Sequence, residues 1–209
     1  VEHQYQGAVH VQLPSGLGQI VLPRLLTLQR MNPELHLQVS LDDRIADLVT
    51  EGVDVALRLS AEPPQTHAAR VLARIETPLF AAPSFPPVES VYALAALPHV
   101  RFSGIPLDAH LRLVSDDETI DIAVNTVFRA NTSNALLQAL EAGMGIGGMQ
   151  LPLAARALQT GTLVQVLPAW RLPDRFLYAV YPDARFIPHR VRSVVGVIEQ
   201  LLPEIIKKN

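Results

Sequence analysis

The chain of 209 residues contains no cysteine, and aromatic side chains make up only 5% of it. The absence of cysteine excludes disulfides, a thiolate nucleophile and cysteine-ligated zinc or iron–sulfur sites. The sequence also lacks an apolar run of about 18–20 residues, the length of a membrane span, and a signal peptide at its start. These absences favour a cytoplasmic protein that does not associate with a membrane, although a processed secreted protein would also lack its signal peptide.

A surplus of positive charge is missing as well. The chain carries 17 basic and 20 acidic residues, for a formal net charge of −3. Nucleic-acid-binding domains usually show a basic patch or stripe, and no cluster of that kind is present. Hydrophobic residues make up 49% of the sequence, enough to form a buried core. We expect a folded chain that does not hold DNA by itself.

Motifs of enzymatic or metal chemistry are also absent. None of the seven histidines belongs to an HxH or HxxxH pair. Four of them are predicted to be surface or loop residues rather than metal ligands: His67, His99, His110 and His189. There is no G-x-S-x-G or Gly-Lys-Ser/Thr motif, and the glycines at 143–148 follow a predicted helix, the reverse of a dinucleotide-binding loop. We expect no metal site, no cofactor and no catalytic residues.

The segment 42–59 carries the pattern of a short helix followed by a buried strand. Asp42 or Asp43 is predicted to cap the helix, and Gly52 to end it in a left-handed conformation. The apolar face of this helix is predicted, at helical spacing, from Ile45, Leu48 and Val49. The stretch Val53–Leu59 is then predicted as a strand. A helix that leads into a buried strand is typical of parallel α/β sheets.

The rest of the first half follows the same alternation. Strands are predicted at Ala8–Leu13, Leu35–Leu41 and Ala69–Ile75. The helix Gln19–Met31 lies between the first two strands, and Pro23 is compatible with it if it falls in the first turn. The apolar face of this helix is predicted to consist of Leu22, Leu25, Leu26 and Leu28.

The alternation restarts near residue 77, which predicts a second α/β unit. A hairpin is predicted at Leu111–Val114 and Thr119–Val124, with a solvated acidic tip between them. The other predicted strands are Pro78–Ala82, His99–Ser103, Phe128–Ala130, Ile146–Met149, Leu163–Leu167 and Phe176–Tyr181. The predicted helices are Ser90–Leu97, Ala135–Ala142, Pro152–Leu158 and His189–Leu202. Two such units with crossing strands predict a cleft between them, a favoured place for a ligand.

Two strand-to-helix junctions carry polar residues that suit a small ligand. Pro14-Ser15-Gly16 follows the first strand, and free N–H groups at a helix start attract anions. Asn131-Thr132-Ser133 forms a similar junction in the second half. Each junction is equally compatible with ordinary helix capping. Together they suggest that two helix starts converge on one anionic ligand.

Several stretches resemble the effector-binding domain of LysR-type transcriptional regulators. Residues 43–58 resemble the family pattern "DR..DLV.EG.D.A.R", and Leu22–Pro33 resembles "LP.LL..F...P". Ala130–Ile146 resembles "N.....L..A..G.GI". Leu163–Trp170 followed by Leu177–Pro182 resembles the second crossover of that family. The resemblance covers nearly the whole chain, and the motifs agree with the family in order and spacing.

The resemblance implies a periplasmic-binding-protein-like fold of type 2, with two Rossmann-like subdomains and an interdomain cleft. Subdomain I would comprise residues 1–76 and 177–209, and subdomain II residues 77–176. A winged helix-turn-helix domain that binds DNA would precede this chain, and residues 1–7 would be the end of a linker from it. The family also implies dimers or tetramers, with helix Leu22–Met31 and strand Leu35–Leu41 of one copy facing helix Ala135–Ala142 of another.

The function that the resemblance implies is the sensing of a small-molecule effector, a metabolite, that controls DNA binding. The candidate effector-binding residues are Pro14, Ser15, Gly16, Ser60, Phe102, Ser103, Asn131, Thr132 and Ser133. Where the family often has a further Ser or Thr, this chain has Leu17 and Gly18, which argues against a strongly anionic effector. The alternative function is that of a free-standing solute-binding protein of a transport system.

Overall fold

The computed structural model describes residues 4–45, 47–66 and 68–206. The prediction for His67, and part of the expected linker at residues 1–3, therefore lie outside the described residues. The chain divides into two compact units. Unit 2 is Ile75–Asp174, and unit 1 holds the described residues up to Arg74 and from Arg175 onward. The predicted boundaries, after residues 76 and 176, each fall two residues further along the chain.

Strands and helices alternate through most of the described chain. In chain order the elements are β1 (Gly7–Leu13), α1 (Ser15–Met31), β2 (Leu35–Leu41), β3 (Val55–Ser60), β4 (Ala69–Ala81), a 3-10 helix (Val91–Ala96), β5 (Pro98–Phe102), β6 (Leu111–Val114), β7 (Thr119–Ile122), β8 (Asn125–Ala130), α2 (Ser133–Glu141), β9 (Gly147–Gly148), α3 (Leu151–Thr160), β10 (Val164–Val180) and α4 (His189–Ile206).

The sheet of unit 1 is built around β1. This strand pairs in parallel with β2 on one side and with β3 on the other. The carboxyl-terminal part of β10 then pairs antiparallel with β3, with Phe176 opposite Ser60 and Val180 opposite Ala56. Helix α1 packs on β2, and α4 packs on both β1 and α1. The three parallel strands therefore end at one common edge.

Helix α1 differs from its prediction in where it begins and which face it buries. It starts at Ser15, four residues before the predicted start, and its buried residues are Leu17, Gly18, Val21 and Leu25. Of the predicted face only Leu25 is buried, and the Leu26 side chain is 55% exposed. The earlier start sets the helix so that the stripe containing Leu17 and Val21 faces the sheet.

Pro23 lies in the middle of α1 rather than in its first turn, so this part of the prediction is wrong. A proline has no N–H to donate to the preceding turn and usually disrupts a helix interior. Pro23 is exposed, and the Thr27 hydroxyl donates a hydrogen bond of 3.1 Å to its carbonyl oxygen. Solvent on the outer side of the helix can satisfy the carbonyl that loses its N–H partner.

The helix predicted between Asp42 and Gly52 does not form among the described residues of that segment. A turn precedes Gly52, which adopts the expected left-handed conformation with φ of 66°. Leu48 is buried, whereas Ile45 and Val49 are 84% and 75% exposed. The Asp47 carboxylate accepts hydrogen bonds from the backbone N–H groups two and three residues later and stabilises this turn. Of the three residues predicted to form the apolar face, only Leu48 is buried.

Unit 2 has two clusters of buried side chains. One cluster includes Leu79, Leu94, Leu113 and Ile146. The other includes Phe80, Val100, Leu136 and Leu140. Leu79 and Phe80 are neighbours in β4, so their side chains point to opposite faces of that strand. The clusters thus lie on the two sides of β4, as expected for a sheet that is covered on both faces.

Several predicted strands of unit 2 are confirmed, and some of them are longer than expected. The hairpin is present, since β6 and β7 pair antiparallel. Strand β4 joins two predicted strands into one continuous strand, as does β10. His99 contradicts its prediction as a surface or loop residue: it lies in β5 with only 1% of its surface exposed. A histidine in a buried parallel strand cannot be recognised from local polarity alone.

Candidate functional site

The candidate residues of unit 1 lie at the carboxyl edge of its parallel strands. Pro14-Ser15-Gly16 directly follows β1, Asp42 and Asp43 follow β2, and Ser60 is the last residue of β3. Parallel strands end at the same edge, and this edge is where open α/β sheets bind ligands. The fold therefore brings the four predicted residues of this unit to one edge, together with two carboxylates.

Ser15 is held by Asp43, which was not predicted as a site residue. The Ser15 backbone N–H donates a hydrogen bond of 2.9 Å to one Asp43 carboxylate oxygen. The Ser15 hydroxyl donates to the other oxygen of the same carboxylate. Asp43 thus satisfies the start of α1, not the start of the helix predicted to follow it. Asp42 instead accepts from the backbone and the side chain of Arg44.

Ser60 takes part in the turn that follows β3. Its hydroxyl donates a hydrogen bond of 2.6 Å to the Glu62 carbonyl oxygen and accepts one of 3.3 Å from the Glu62 N–H. Both contacts are local, so they position the start of the loop after β3. The Ser60 hydroxyl keeps one lone pair for another donor.

The candidate residues of unit 2 lie at a corresponding edge. Strands β5 and β8 are parallel, and their last residues, Phe102 and Ala130, are register partners. The Ser103 N–H donates a hydrogen bond of 2.8 Å to the Ala130 carbonyl oxygen, which continues the pairing by one step. Phe102 and Ser103 are thereby held beside Asn131, the residue that follows β8.

Helix α2 begins with a local cap at this edge. The Thr132 hydroxyl accepts a hydrogen bond of 3.2 Å from the Ala135 N–H, the geometry of a helix N-cap. The Ser133 hydroxyl donates to the Gln150 side-chain oxygen at 3.4 Å. Asn131 is exposed. The Thr132 hydroxyl keeps its proton free to donate, because the cap uses it only as an acceptor.

Gln150 is a residue at this edge that the sequence prediction missed. It is the N-cap residue of α3, and its side chain reaches Ser133 at the start of α2. The two helices are consecutive, but the two side chains are 17 residues apart. No local pattern marks Gln150, since glutamine is not a typical capping residue.

A buried arginine supports the loop beside Ser103. Arg101 in β5 is only 7% exposed, and its guanidinium donates to the carbonyl oxygens of Ala109 and His110. Burial lowers the pKa of Arg101 from its ordinary value. Burial also lowers the pKa of His99 to about 4, with the nearby Arg101 charge as the second cause. His99 is therefore neutral at pH 7, and Arg101 supplies the positive charge beneath this edge.

The part of the chain that the structure describes contains no cluster of potential metal ligands. Within residues 4–45, 47–66 and 68–206, no three His, Asp or Glu side chains are grouped closely enough to hold a metal ion. In the same residues, no helix combines the length and the apolar character needed to cross a membrane.

Comparison with known protein families and relatives assigns almost the entire chain to one family. The family described as LysR substrate binding domain matches residues 2–203. The HTH-type transcriptional regulator PtxR of Pseudomonas aeruginosa is 28% identical over 178 residues, covering 83% of this chain and 57% of PtxR. The HTH-type transcriptional regulator DmlR of Escherichia coli is 29% identical over 206 residues, covering 95% of this chain and 66% of DmlR.

The fold is shared with a solved regulator. The full-length structure of the Vibrio cholerae virulence activator AphB, a member of the LTTR protein family, superposes with a TM-score of 0.78 at 24% identity. This match covers 93% of the chain and 68% of AphB. The predicted α/β fold of the periplasmic-binding-protein-like type 2 class is confirmed. The chain spans less than two thirds of the length of PtxR and of DmlR.

Proposed function

This chain belongs to the LysR substrate-binding domain family, and from that premise we propose that it senses a small-molecule effector for a transcriptional regulator. The proposed output is a change in how a winged helix-turn-helix domain, encoded outside this chain, binds DNA. Among the relatives, PtxR and DmlR are transcriptional regulators. They therefore favour this function over the alternative of a free-standing solute-binding protein of a transport system.

One observation carries the proposal: each unit collects its predicted site residues at the carboxyl ends of parallel strands. In unit 1 these are Pro14-Ser15-Gly16 and Ser60, and in unit 2 they are Phe102-Ser103 and Asn131-Thr132-Ser133. Ligands of open α/β sheets bind at such edges. We propose that these residues contact the effector, a metabolite small enough to be held by a few hydrogen bonds.

The two edges offer different chemistry to that effector. At the start of α1 the Asp43 carboxylate occupies both the N–H and the hydroxyl of Ser15. An effector group that docks beside it should be neutral or cationic, because a second carboxylate would be repelled. At the start of α2 the Thr132 hydroxyl is free to donate, and Phe102 supplies an aromatic wall. We propose that the acceptor groups of the effector face Thr132.

Self-association is the second proposed activity of this domain. Leu26 and Met31 of α1 are 55% and 75% exposed, and β2 pairs only with β1 among the described strands. Exposed apolar residues beside an edge strand favour a protein contact. We propose dimers or tetramers in which this surface meets α2 of another copy. We further propose that the protein is cytoplasmic and has no enzymatic activity.

The effector site is tested by screening a metabolite panel for thermal stabilisation and measuring the affinity of each hit by calorimetry. Ser15→Ala and Thr132→Ala are each expected to weaken binding of a hit about fivefold or more, the loss of one hydrogen bond. Thr132→Ser retains the hydroxyl and the cap and should bind normally. Thr160→Ala removes a hydroxyl at the end of α3 and is the matched control. Unchanged affinity in both Ser15→Ala and Thr132→Ala would contradict the site assignment.

A further inference from the structure

A cavity of about 350 Å³ lies within unit 1, lined by residues that the proposed effector site does not use. Its lining residues are Ala68, Ala69, Arg70, Tyr181, Ala184, Ile187 and Arg192. They come from the start of β4, the loop after β10 and the first turn of α4. Small-molecule sites commonly have volumes of about 300–1,000 Å³, so this cavity is large enough for a compact ligand. We call it the Arg192 cavity.

The Arg192 cavity lies at the opposite edge of the unit 1 sheet from Ser15 and Ser60. Strand β10 runs antiparallel to β3, so that Phe176 is opposite Ser60 while Val180 is opposite Ala56. Tyr181 therefore follows the end of β10 that lies beside the start of β3. At about 3.3 Å per residue, the length of β3 separates Tyr181 from Ser60 by about 16 Å along the strand. A ligand in this cavity would not touch the proposed effector residues of unit 1.

Two guanidinium groups line the Arg192 cavity, and they differ in what they bind. Arg70 makes a two-point ion pair with Glu199, with N–O distances of 3.2 and 2.9 Å. Arg192 donates its backbone N–H to Pro188, but its guanidinium has no hydrogen bond or ion pair to another described residue. Arg192 is thus the cation that remains available to a ligand. The pair formed by Arg70 and Glu199 contributes little net charge.

The phenol of Tyr181 adds a hydrogen-bond donor to the wall. Tyr181 is 8% exposed, and burial raises its pKa from the ordinary value, against the opposing effect of Arg70. The phenol therefore stays protonated at neutral pH and can donate to an acceptor. The Tyr181 backbone N–H donates a hydrogen bond of 2.9 Å to the Ala68 carbonyl oxygen, which joins the two sides of the cavity.

The remaining wall is apolar, which limits the class of ligand. Ala69, Ala184 and Ile187 present methyl groups and no further donor. A phosphate needs several donors, whereas a carboxylate is satisfied by one planar guanidinium. We propose that the Arg192 cavity binds a small organic carboxylate, with the anionic group on Arg192 and the apolar body against Ala184 and Ile187. This second site goes beyond the effector site proposed above.

The proposal is tested with phenylacetate as the probe and the 209-residue chain labelled with ¹³C at its isoleucine methyl groups. Ile187 lies in the cavity wall, and Ile122 in the core of unit 2 is the internal reference. Phenylacetate is expected to shift the Ile187 signal saturably and to leave Ile122 unchanged. Phenylacetamide has the same shape without the charge, and it should bind at least about tenfold more weakly. Inorganic phosphate should also bind at least about tenfold more weakly, since it has no apolar body.

Variants assign the contact to individual residues. Arg192→Gln is expected to weaken phenylacetate at least about tenfold, and Arg192→Lys to restore part of the affinity. Arg24→Gln is the matched control, because it removes one exposed arginine of α1 that pairs with Glu204. Ala184→Leu fills the cavity at an exposed position, and it should abolish binding without unfolding the chain. Thermal unfolding of each variant verifies the fold.

Three results would overturn the proposal. They are the absence of an Ile187 shift with phenylacetate, equal affinities for phenylacetate and phenylacetamide, and equal affinities of Arg192→Gln and Arg24→Gln. An affinity for phosphate equal to that for phenylacetate would overturn the assignment to an organic carboxylate. Ser15→Ala and Thr132→Ala should leave the phenylacetate shift at Ile187 unchanged. A failure of the Arg192 cavity proposal can therefore be distinguished from a failure of the effector-site proposal.

Discussion

Helices α1 and α2 each begin at a strand edge with a predicted ligand-binding sequence, yet they are capped by different means. The start of α1 is held by Asp43, a carboxylate 28 residues away in the sequence. The start of α2 is held by Thr132, whose hydroxyl accepts a hydrogen bond from the N–H of Ala135, three residues later. A cap from a neighbouring residue can be recognised in the sequence, whereas a cap from another segment depends on the folded chain. The same difference leaves Thr132, but not Ser15, with a free hydroxyl proton.

The two helices also approach their strands differently. The fourth residue of α1 is Gly18, where a Cβ atom would lie 2.9 Å from the Leu13 Cβ and 2.5 Å from a Leu41 methyl. The fourth residue of α2 is Leu136, whose side chain is buried in a cluster with Phe80 and Val100. At its fourth residue α1 therefore approaches the strand through its backbone, whereas α2 packs there through a large side chain.

The strands beneath these helices bury different polar groups. In unit 1 β1 buries Gln12, which does not titrate, and its amide donates a hydrogen bond of 3.2 Å to the Arg44 carbonyl oxygen. In unit 2 β5 buries His99 and Arg101. A buried histidine couples the stability of its surroundings to pH, whereas a buried amide does not. The two units should therefore respond differently to acid.

The largest expected effect is the loss of stability of unit 2 in acid. Because the pKa of His99 is lowered to about 4, the unfolded chain binds its proton first, near pH 6.5. Stability is complete above that pH and is lost as the pH falls toward 4, by about 3 kcal/mol in total. Urea unfolding at several pH values, followed by the fluorescence of Trp170 against the unit 2 core, measures this loss.

The control for this experiment is the exposed histidine of β2. His99→Leu should flatten the pH dependence of the free energy of unfolding between pH 6.5 and 4, because no proton is then taken up at that site. His36→Gln changes an exposed histidine in unit 1 and should leave the slope as it is. A slope that survives in His99→Leu would show that other groups cause the acid sensitivity.

The next effect concerns the close approach of α1 to its strand. Gly18→Ala is expected to lower the free energy of unfolding by about 1–3 kcal/mol, since the added methyl overlaps Leu13 and Leu41. Gly196 in α4 has no heavy atom within 4 Å of an added Cβ. Gly196→Ala should therefore stabilise its helix by about 0.5–1 kcal/mol. Circular dichroism during urea unfolding measures both, and a neutral Gly18→Ala would contradict the backbone contact.

The smallest effect separates the two kinds of cap. Thr132→Ala should cost about 1 kcal/mol, and Asp43→Ala about 1 kcal/mol or less, because each leaves helix N–H groups to solvent. In a double-mutant cycle, Ser15→Ala and Asp43→Ala should show a coupling energy, since the two side chains share a hydrogen bond. Thr132→Ala and Asp43→Ala should be additive. Additivity of the Ser15 and Asp43 changes would argue against the long-range cap.

Elements whose signals are local were predicted well. The alternation of Leu35–Leu41 predicted β2 with the observed bounds. The acidic tip of residues 115–118 separated β6 from β7 as expected, and the run Asn131-Thr132-Ser133 marked the start of α2. In each case the signal is an alternation or a run of polar residues that spans only a few positions, so sequence spacing specifies it. The site residues themselves stay predictions, since their local placement does not measure binding.

The errors concern residues whose partners are distant in sequence. The apolar spacing of Ile45 and Val49 suited a helix, but only Leu48 found a place in a core, beside Tyr178 and Val180. His99 was expected at the surface because histidine is polar. Its strand, β5, pairs with β8 in the interior of unit 2, and the side chain is buried there. In both cases burial against other segments outweighed local preference.

The sequence by itself determined the class of this protein: the apolar periodicities, the turn residues and the family motifs all act over a few positions along the chain. Only the tertiary structure decided that Asp43 caps α1, that Gly18 has no room for a methyl group, and that Arg70, Tyr181 and Arg192 line one cavity. The physical reason is the range of the interactions. Packing and long-range hydrogen bonds depend on which segments meet, and that is settled when the whole sheet is assembled.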